Sequence, residues 1–238
     1  MRAVRAERFG GPEVLVAGEV PDPVAGPGQV VVGVRAADVL FLDAQVRRGL
    51  FGEHFAVRPP YVPGGTVVGR VLSVGAGVDP GWTGRRVAAR TGVRGGYAEQ
   101  AVVPAGELVP VPDALDLDAA AALLHDGPTA LALSGNARVG PGARVLVLAA
   151  AGGRRRGGGR GVRRRRRGDR PGGVRGDGAR RQVLRTRRPR RLMERALAEA
   201  AAGRIRPLVG QTFPLERAAD AHAVMEARGA VGKTLLLP

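Results

Sequence analysis

The sequence predicts an α/β protein: a β domain followed by a part that opens like a doubly wound sheet. Three observations carry this reading. Residues 1 to about 112 are short, Val-rich runs punctuated by Gly and Pro. From Asp116 the pattern turns Ala/Leu-rich and helical, then becomes a continuous apolar run ending in a Gly pair. Between Arg154 and Arg191 an Arg/Gly block breaks that pattern before helical spacing resumes.

The elements follow in order. QVVVGVRA (Gln29–Ala36), GTVVGRVLSVGAGV (Gly65–Val78), GRRVAAR (Gly84–Arg90) and GYAEQAVV (Gly96–Val103) read as strands. Many short strands between Gly/Pro turns suggest a barrel or a sandwich. DLDAAAALLHDGPTALALSG is helical in character, with Asp116 or Asp118 able to cap its start. Pro128 is expected to end that helix and to begin another in its first turn. ARVLVLAAAGG (Ala143–Gly153), apolar on both sides, suits a buried parallel strand. After the block, Leu192–Gly203 and Leu215–Arg228 read as helices, and Val231–Leu237 as a closing strand.

The charge is local. The chain carries 38 basic and 21 acidic residues, a net +17. Residues 154–191 hold 18 of those bases, nine Gly and only two acids, Asp169 and Asp177. The remaining chain, with 20 bases and 19 acids, is nearly neutral. There is no cysteine, which excludes disulfides, thiolate metal sites and a Cys nucleophile. The apolar run at Arg144–Gly153 is too short to span a bilayer, and the N-terminus has no apolar core of a signal peptide. A cytoplasmic location with no membrane partner is the expectation.

A buried strand running into Gly152-Gly153 is how a dinucleotide fold begins, because glycines let backbone N–H groups approach a pyrophosphate. Alone, such a pair is weak evidence. Its surroundings add to it: FGGPEVL (Phe9–Leu15), VLFLDAQVRRG (Val39–Gly49), PYVPGGTVVGRVLSVGAGV (Pro60–Val78), GGYAEQAVVP (Gly95–Pro104), HDGPTAL (His125–Leu131), VLVLAAAGG (Val145–Gly153) and Gly203–Pro238. Together these resemble the zinc-independent quinone oxidoreductase branch of the medium-chain dehydrogenase/reductase family.

The resemblance implies a GroES-like β-barrel domain at 1–115, completed by 204–238, beside a truncated Rossmann nucleotide-binding domain starting at 116–153. Residues 192–238 would supply C-terminal helices and the closing strand. It implies NADPH, with NADH possible, no zinc, and reduction of a quinone or an α,β-unsaturated carbonyl. Its residues carry over as cofactor contacts at Phe41, Leu42, Asp43, Gln45, Thr129, Gly152, Gly153 and Arg228. No catalytic side chain is assigned, because the nicotinamide supplies the hydride and the protein supplies position. For Asp43 the plain alternative is a solvated turn carboxylate, for Thr129 a helix-end cap, and for Arg228 a surface arginine.

The departures are as informative. Arg154 and Arg155 stand where the family has Val-Gly, and Arg155 cannot serve close helix–strand packing. The family's Asn is Leu40 here and its Tyr is Gln45. Pro63-Gly64-Gly65 stands where zinc-dependent relatives have Gly-His-Glu, so both zinc sites are expected to be absent. His54, His125 and His222 show no ligand spacing and read as surface or helix histidines, and Trp82 as a packing residue. Only 85 residues follow Gly153, which predicts an impaired cofactor domain and leaves the oligomeric state open. The block at 154–191 reads either as G+C-rich coding sequence translated out of frame or as a genuine basic insert. Either way it predicts disorder and nonspecific affinity for polyanions such as nucleic acid.

Overall fold

The computed structural model describes residues 1–136 and 189–238. Nine strands occur there: β1 (Arg2–Ala6), β2 (Leu15–Glu19), β3 (Gln29–Asp38), β4 (Thr66–Val74), β5 (Arg86–Arg90), β6 (Gln100–Pro104), β7 (Val109–Pro110), β8 (Val209–Pro214) and β9 (Lys233–Leu237). The helices are α1 (Phe41–Arg47), α2 (Gly52–Phe55), α3 (Leu117–Leu123), α4 (Asp126–Asn136), α5 (Pro189–Ala201) and α6 (Ala218–Glu226). The expected buried strand at 143–153, with Gly152 and Gly153, lies outside the described residues, as does 154–188 of the Arg block. No described helix is long and apolar enough to cross a membrane.

β3 is the spine of a seven-stranded sheet. One edge pairs antiparallel with β4, which continues to β5 and then β7. The other edge is divided: Gln29–Gly33 pair with β6, and Ala37 and Asp38 pair with β9. β9 then takes β8 in parallel, so the chain's end does close onto its N-terminal strands. The expected barrel is corrected to an open sheet. Among the described residues β6, β7 and β8 each have one partner in this sheet, so the circuit of hydrogen bonds is not completed. β1 and β2 form a separate hairpin, joined through bridges Ala3–Ala98 and Ala6–Tyr61.

The central strands are apolar on both faces, and successive residues feed different cores, as the two-residue period of a strand requires. Val67, Val87 and Leu236 point to one core with β1, α1 and α6; Val68, Ala88 and Leu235 point to the other with α3 and α5. Asp116 caps α3, accepting from the N–H groups of Asp118 and Ala119 at 2.8 and 3.1 Å. α3 stops at Leu123, and Pro128 sits in the first turn of α4 rather than ending the previous helix. α5 buries Met193, Ala196, Leu197 and Ala200, an i, i+3, i+4, i+7 stripe. It begins at Pro189, so residues 189–191 of the Arg block are helical and not disordered. A proline is suited to a helix's first position, and Arg190 bonds Glu194 one turn on at 3.0 Å and reaches the Gly106 carbonyl at 3.3 Å.

Candidate active site

The segment leaving β3 positions the site. Val39 N–H donates to the Thr234 carbonyl of β9 at 2.9 Å, and the chain turns at Leu40 into α1. Leu40 occupies the cap position in an extended conformation and has no side-chain acceptor to offer the helix. Asp43 supplies the other half of a capping box: its Oδ2 accepts the Leu40 N–H at 2.9 Å. Asp43 is therefore helical and buried, not the solvated turn carboxylate that was the alternative.

Beneath Asp43 runs a line of buried polar groups. Tyr97 O–H donates to Asp43 Oδ2 at 3.1 Å, and Tyr97 Oη lies 3.0 Å from His222 Nε2. His222 Nδ1 lies 3.1 Å from Arg47 Nη1. Arg47, with no exposed surface, also donates to the Gly10 carbonyl at 3.2 Å and pairs with Glu226 at 2.5 Å. A guanidinium can only donate, so Nδ1 must accept and the imidazole proton must sit on Nε2. That proton points to Tyr97 Oη, which frees the tyrosine proton for Asp43. The line therefore has one polarity, set by Arg47. Burial, and then the Arg47 charge, push His222 down to about 3, which keeps the ring neutral. Burial lifts Asp43 to about 7 against the bond from Leu40 N–H, and burial also lifts Tyr97 well above the usual phenol range.

A second buried acid, Asp38, pairs with Lys233 Nζ at 3.2 Å and receives the Thr66 hydroxyl. Lys233 also reaches Asp126 at 3.5 Å. Burial alone would lower the lysine, but the two carboxylates hold it above its ordinary value.

Two clefts meet above this core. One, of about 410 Å³, is lined by Asp43, His54, Thr66, Arg90 and Arg94 among others. The other, of about 320 Å³, is lined by Phe41, Met225, Arg228, Lys233 and Thr234 among others. Leu40, Leu42 and His125 belong to both linings. Gly65 lines the first cleft. A Cβ on Gly65 would lie 2.7 Å from the Gly92 carbonyl oxygen, and one on Gly64 2.5 Å from the Tyr97 ring. A side chain at either position would require its neighbours to shift.

Of the positions chosen from sequence, Phe41, Leu42, Asp43 and Arg228 come together at these clefts. Gln45 and Thr129 are in neither lining. Thr129 is exposed, and its hydroxyl bonds back to the His125 carbonyl of its own helix at 2.8 Å. Arg228 is exposed at the end of α6 with φ 54°, the left-handed conformation usually taken by glycine. Sequence reading missed Arg47 and Tyr97 and placed His222 as a surface or helix histidine. His222 is helical but wholly buried; its spacing with Ala218, Ala221 and Met225 marks the apolar face of α6 and was a usable signal. Nothing local distinguishes Arg47 from its exposed neighbour Arg48.

Residues 26–113 match the alcohol dehydrogenase GroES-like domain, and residues 117–236 match the zinc-binding dehydrogenase family. A quinone oxidoreductase from Rattus norvegicus is 40% identical over 149 residues, covering 62% of this chain and 45% of the relative. A 2-haloacrylate reductase from a Burkholderia species is 39% identical over 143 residues, covering 59% and 43%. The chain thus spans about half the length of the curated relatives it matches. Among solved structures, the quinone oxidoreductase from Thermus thermophilus, also solved in complex with NADPH, is 26% identical with a TM-score of 0.67 over 100% of both chains.

Proposed function

Because the chain belongs to the medium-chain dehydrogenase/reductase family, in its quinone oxidoreductase branch, we propose that it serves NADPH-dependent reduction of a quinone or an α,β-unsaturated carbonyl without zinc. The observation that supports this reading most is the shared wall of the two clefts. Leu40, Leu42 and His125 separate a cleft lined by the exposed cation Arg228 from one that could hold a small acceptor. A dinucleotide has phosphates for the first, and the common wall is where nicotinamide and acceptor would meet. The nicotinamide supplies the hydride when bound. Phe41, Leu42 and Arg228 are the residues assigned to hold the cofactor. Asp43 fixes the start of α1 through Leu40 and so positions the wall, and the apolar side chains of Leu40 and Leu42 exclude water from it. The absence of cysteine and the tight packing at Gly64 and Gly65 both argue against zinc chemistry here.

The test is titration of the whole chain with NADPH, followed by NADPH oxidation with a quinone. Micromolar affinity and acceptor-dependent oxidation are expected. No binding at millimolar NADPH would overturn the reading for this chain and mark it as an inactive relative. The Arg/Gly block motivates a second, independent affinity. Eighteen arginines over 154–191 attract polyanions whatever their origin, and that binding is expected to collapse as salt is raised.

A further inference from the structure

We propose that the larger cleft takes an anionic acceptor, an α,β-unsaturated carbonyl compound that carries a carboxylate, held by Arg90 and Arg94. The proposal rests on the reductase reading above and narrows it to a substrate class.

Four observations carry it. Arg90 and Arg94 both line the cleft, and among the described residues neither guanidinium has an ion pair or a hydrogen bond. Of the other cations near the site, Arg47 pairs with Glu226 and Lys233 with Asp38 and Asp126, while Arg228 lines the smaller cleft. Among the described lining residues Asp43 is the one acid, and its Oδ2 is already bonded by Leu40 and Tyr97. Burial that lifts Asp43 to about 7 weakens its opposition to an incoming anion. Among the described residues the cleft therefore presents two unpaired positive charges to a ligand.

The backbone carrying them is held in place. Thr91 N–H donates to the Gly65 carbonyl at 3.0 Å and its hydroxyl to the Gly64 carbonyl at 2.7 Å. Gly95 N–H donates to the Val62 carbonyl at 2.7 Å, Gly96 N–H to the Pro63 carbonyl at 3.0 Å, and Pro63 bridges Arg94. Gly92, with φ 94°, makes the turn between the two arginines, and Gly95, with φ 93°, turns the chain directly after Arg94. So the Cα atoms of Arg90 and Arg94 are fixed on either side of one tight turn, and only their side chains need to order on binding. Guanidinium groups suit a carboxylate because their donors match its two oxygens. The volume of about 410 Å³ suits a small molecule. Reduction adds a hydride from the nicotinamide and a proton from solvent across the activated double bond, and the carboxylate is unchanged.

The experiment compares acetylacrylate with its methyl ester, which present the same enone with and without the charge. With NADPH and the whole chain, kcat/KM is expected to favour the acid by about tenfold or more, as for one added charge-assisted contact. In R90Q/R94Q that ratio is expected to fall to about two or less. Equal use of acid and ester by the unaltered chain overturns the proposal. If neither compound nor a simple quinone oxidises NADPH, the reductase reading fails, and calorimetry with acetylacrylate alone decides the cleft. Binding that R90Q/R94Q abolishes then supports it. Binding that survives R90Q/R94Q, or that disappears only when Arg163–Arg167 are replaced by Gln, overturns it.

Discussion

Arginines sit in two regions of this molecule under opposite conditions. Below α1, Arg47 has no exposed surface and donates to Gly10, His222 and Glu226. At the larger cleft, Arg90 and Arg94 are exposed and have no partner among the described residues. The comparison separates two uses of one side chain. A buried guanidinium must have every neighbour arranged around it, so it fixes a structure. An exposed one costs little and is available to a ligand.

The most direct way to break this comparison is to remove the buried arginine. R47A leaves His222 Nδ1 and the Gly10 carbonyl without their donor and leaves Glu226 with the exposed Arg48 at 3.0 Å. A loss of about 3–5 kcal/mol is expected in denaturant unfolding, as when one partner of a buried ion pair is removed. R47M, which fills the space, is expected to lose less than R47A. If R47A costs no more than a typical surface substitution, the line below α1 does not organise this region.

A change at Asp43 sharpens the comparison through pH. The folded-state value of Asp43, about 7, lies above its ordinary 3.8. The native state therefore keeps a proton that the unfolded chain releases, so its contribution is complete below about pH 4 and is lost as pH rises towards 7. His222 runs the other way: lowered from 6.5 to about 3, it contributes above about pH 6.5 and loses that as pH falls. Between about pH 4 and 6.5 the two slopes, each up to about 1.4 kcal/mol per pH unit, oppose each other. D43N removes one of them. Its stability relative to the unaltered chain is expected to grow from pH 4 to 7, measured as unfolding midpoints across that range. A constant difference would show that Asp43 is not held towards its neutral form.

How far all this was legible varies by residue. The strands at Gln29, Thr66, Arg86 and Gln100 announce themselves by Val-rich runs between turns, and the apolar stripe of α5 by its spacing. α1 did not, because FLDAQVR is only seven residues and its amphipathic signal is short. The open sheet was not legible either, since β6 and β9 divide one edge of β3 through contacts far apart in sequence. At the site, Phe41, Leu42, Asp43 and Arg228 were reachable through family resemblance. The partners that give Asp43 its environment, Tyr97 and His222, come from β6's approach and from α6, 54 and 179 residues away from it, and no local pattern links them. Arg90 and Arg94 are read as one cationic surface only once the turn at Gly92 is seen.

The smallest expected effect separates stability from binding at a single position. Arg228 takes the left-handed conformation one residue beyond the cap of α6, where its N–H donates to the Met225 carbonyl at 3.0 Å and the Gly229 N–H to the Val224 carbonyl at 3.1 Å. That is the hydrogen-bond pattern in which glycine is favoured, and a residue with a Cβ there costs on the order of 1 kcal/mol. R228G relieves the cost and keeps both backbone bonds, so it is expected to raise stability by about that amount. The same change removes a cation from the smaller cleft. If Arg228 contacts the cofactor, NADPH affinity is expected to fall about fivefold, the equivalent of about 1 kcal/mol for an exposed charge. A strained residue at a helix end is explained by function only if the two effects occur together. Greater stability with unchanged NADPH affinity would leave the left-handed arginine a structural accident and remove Arg228 from the cofactor contacts.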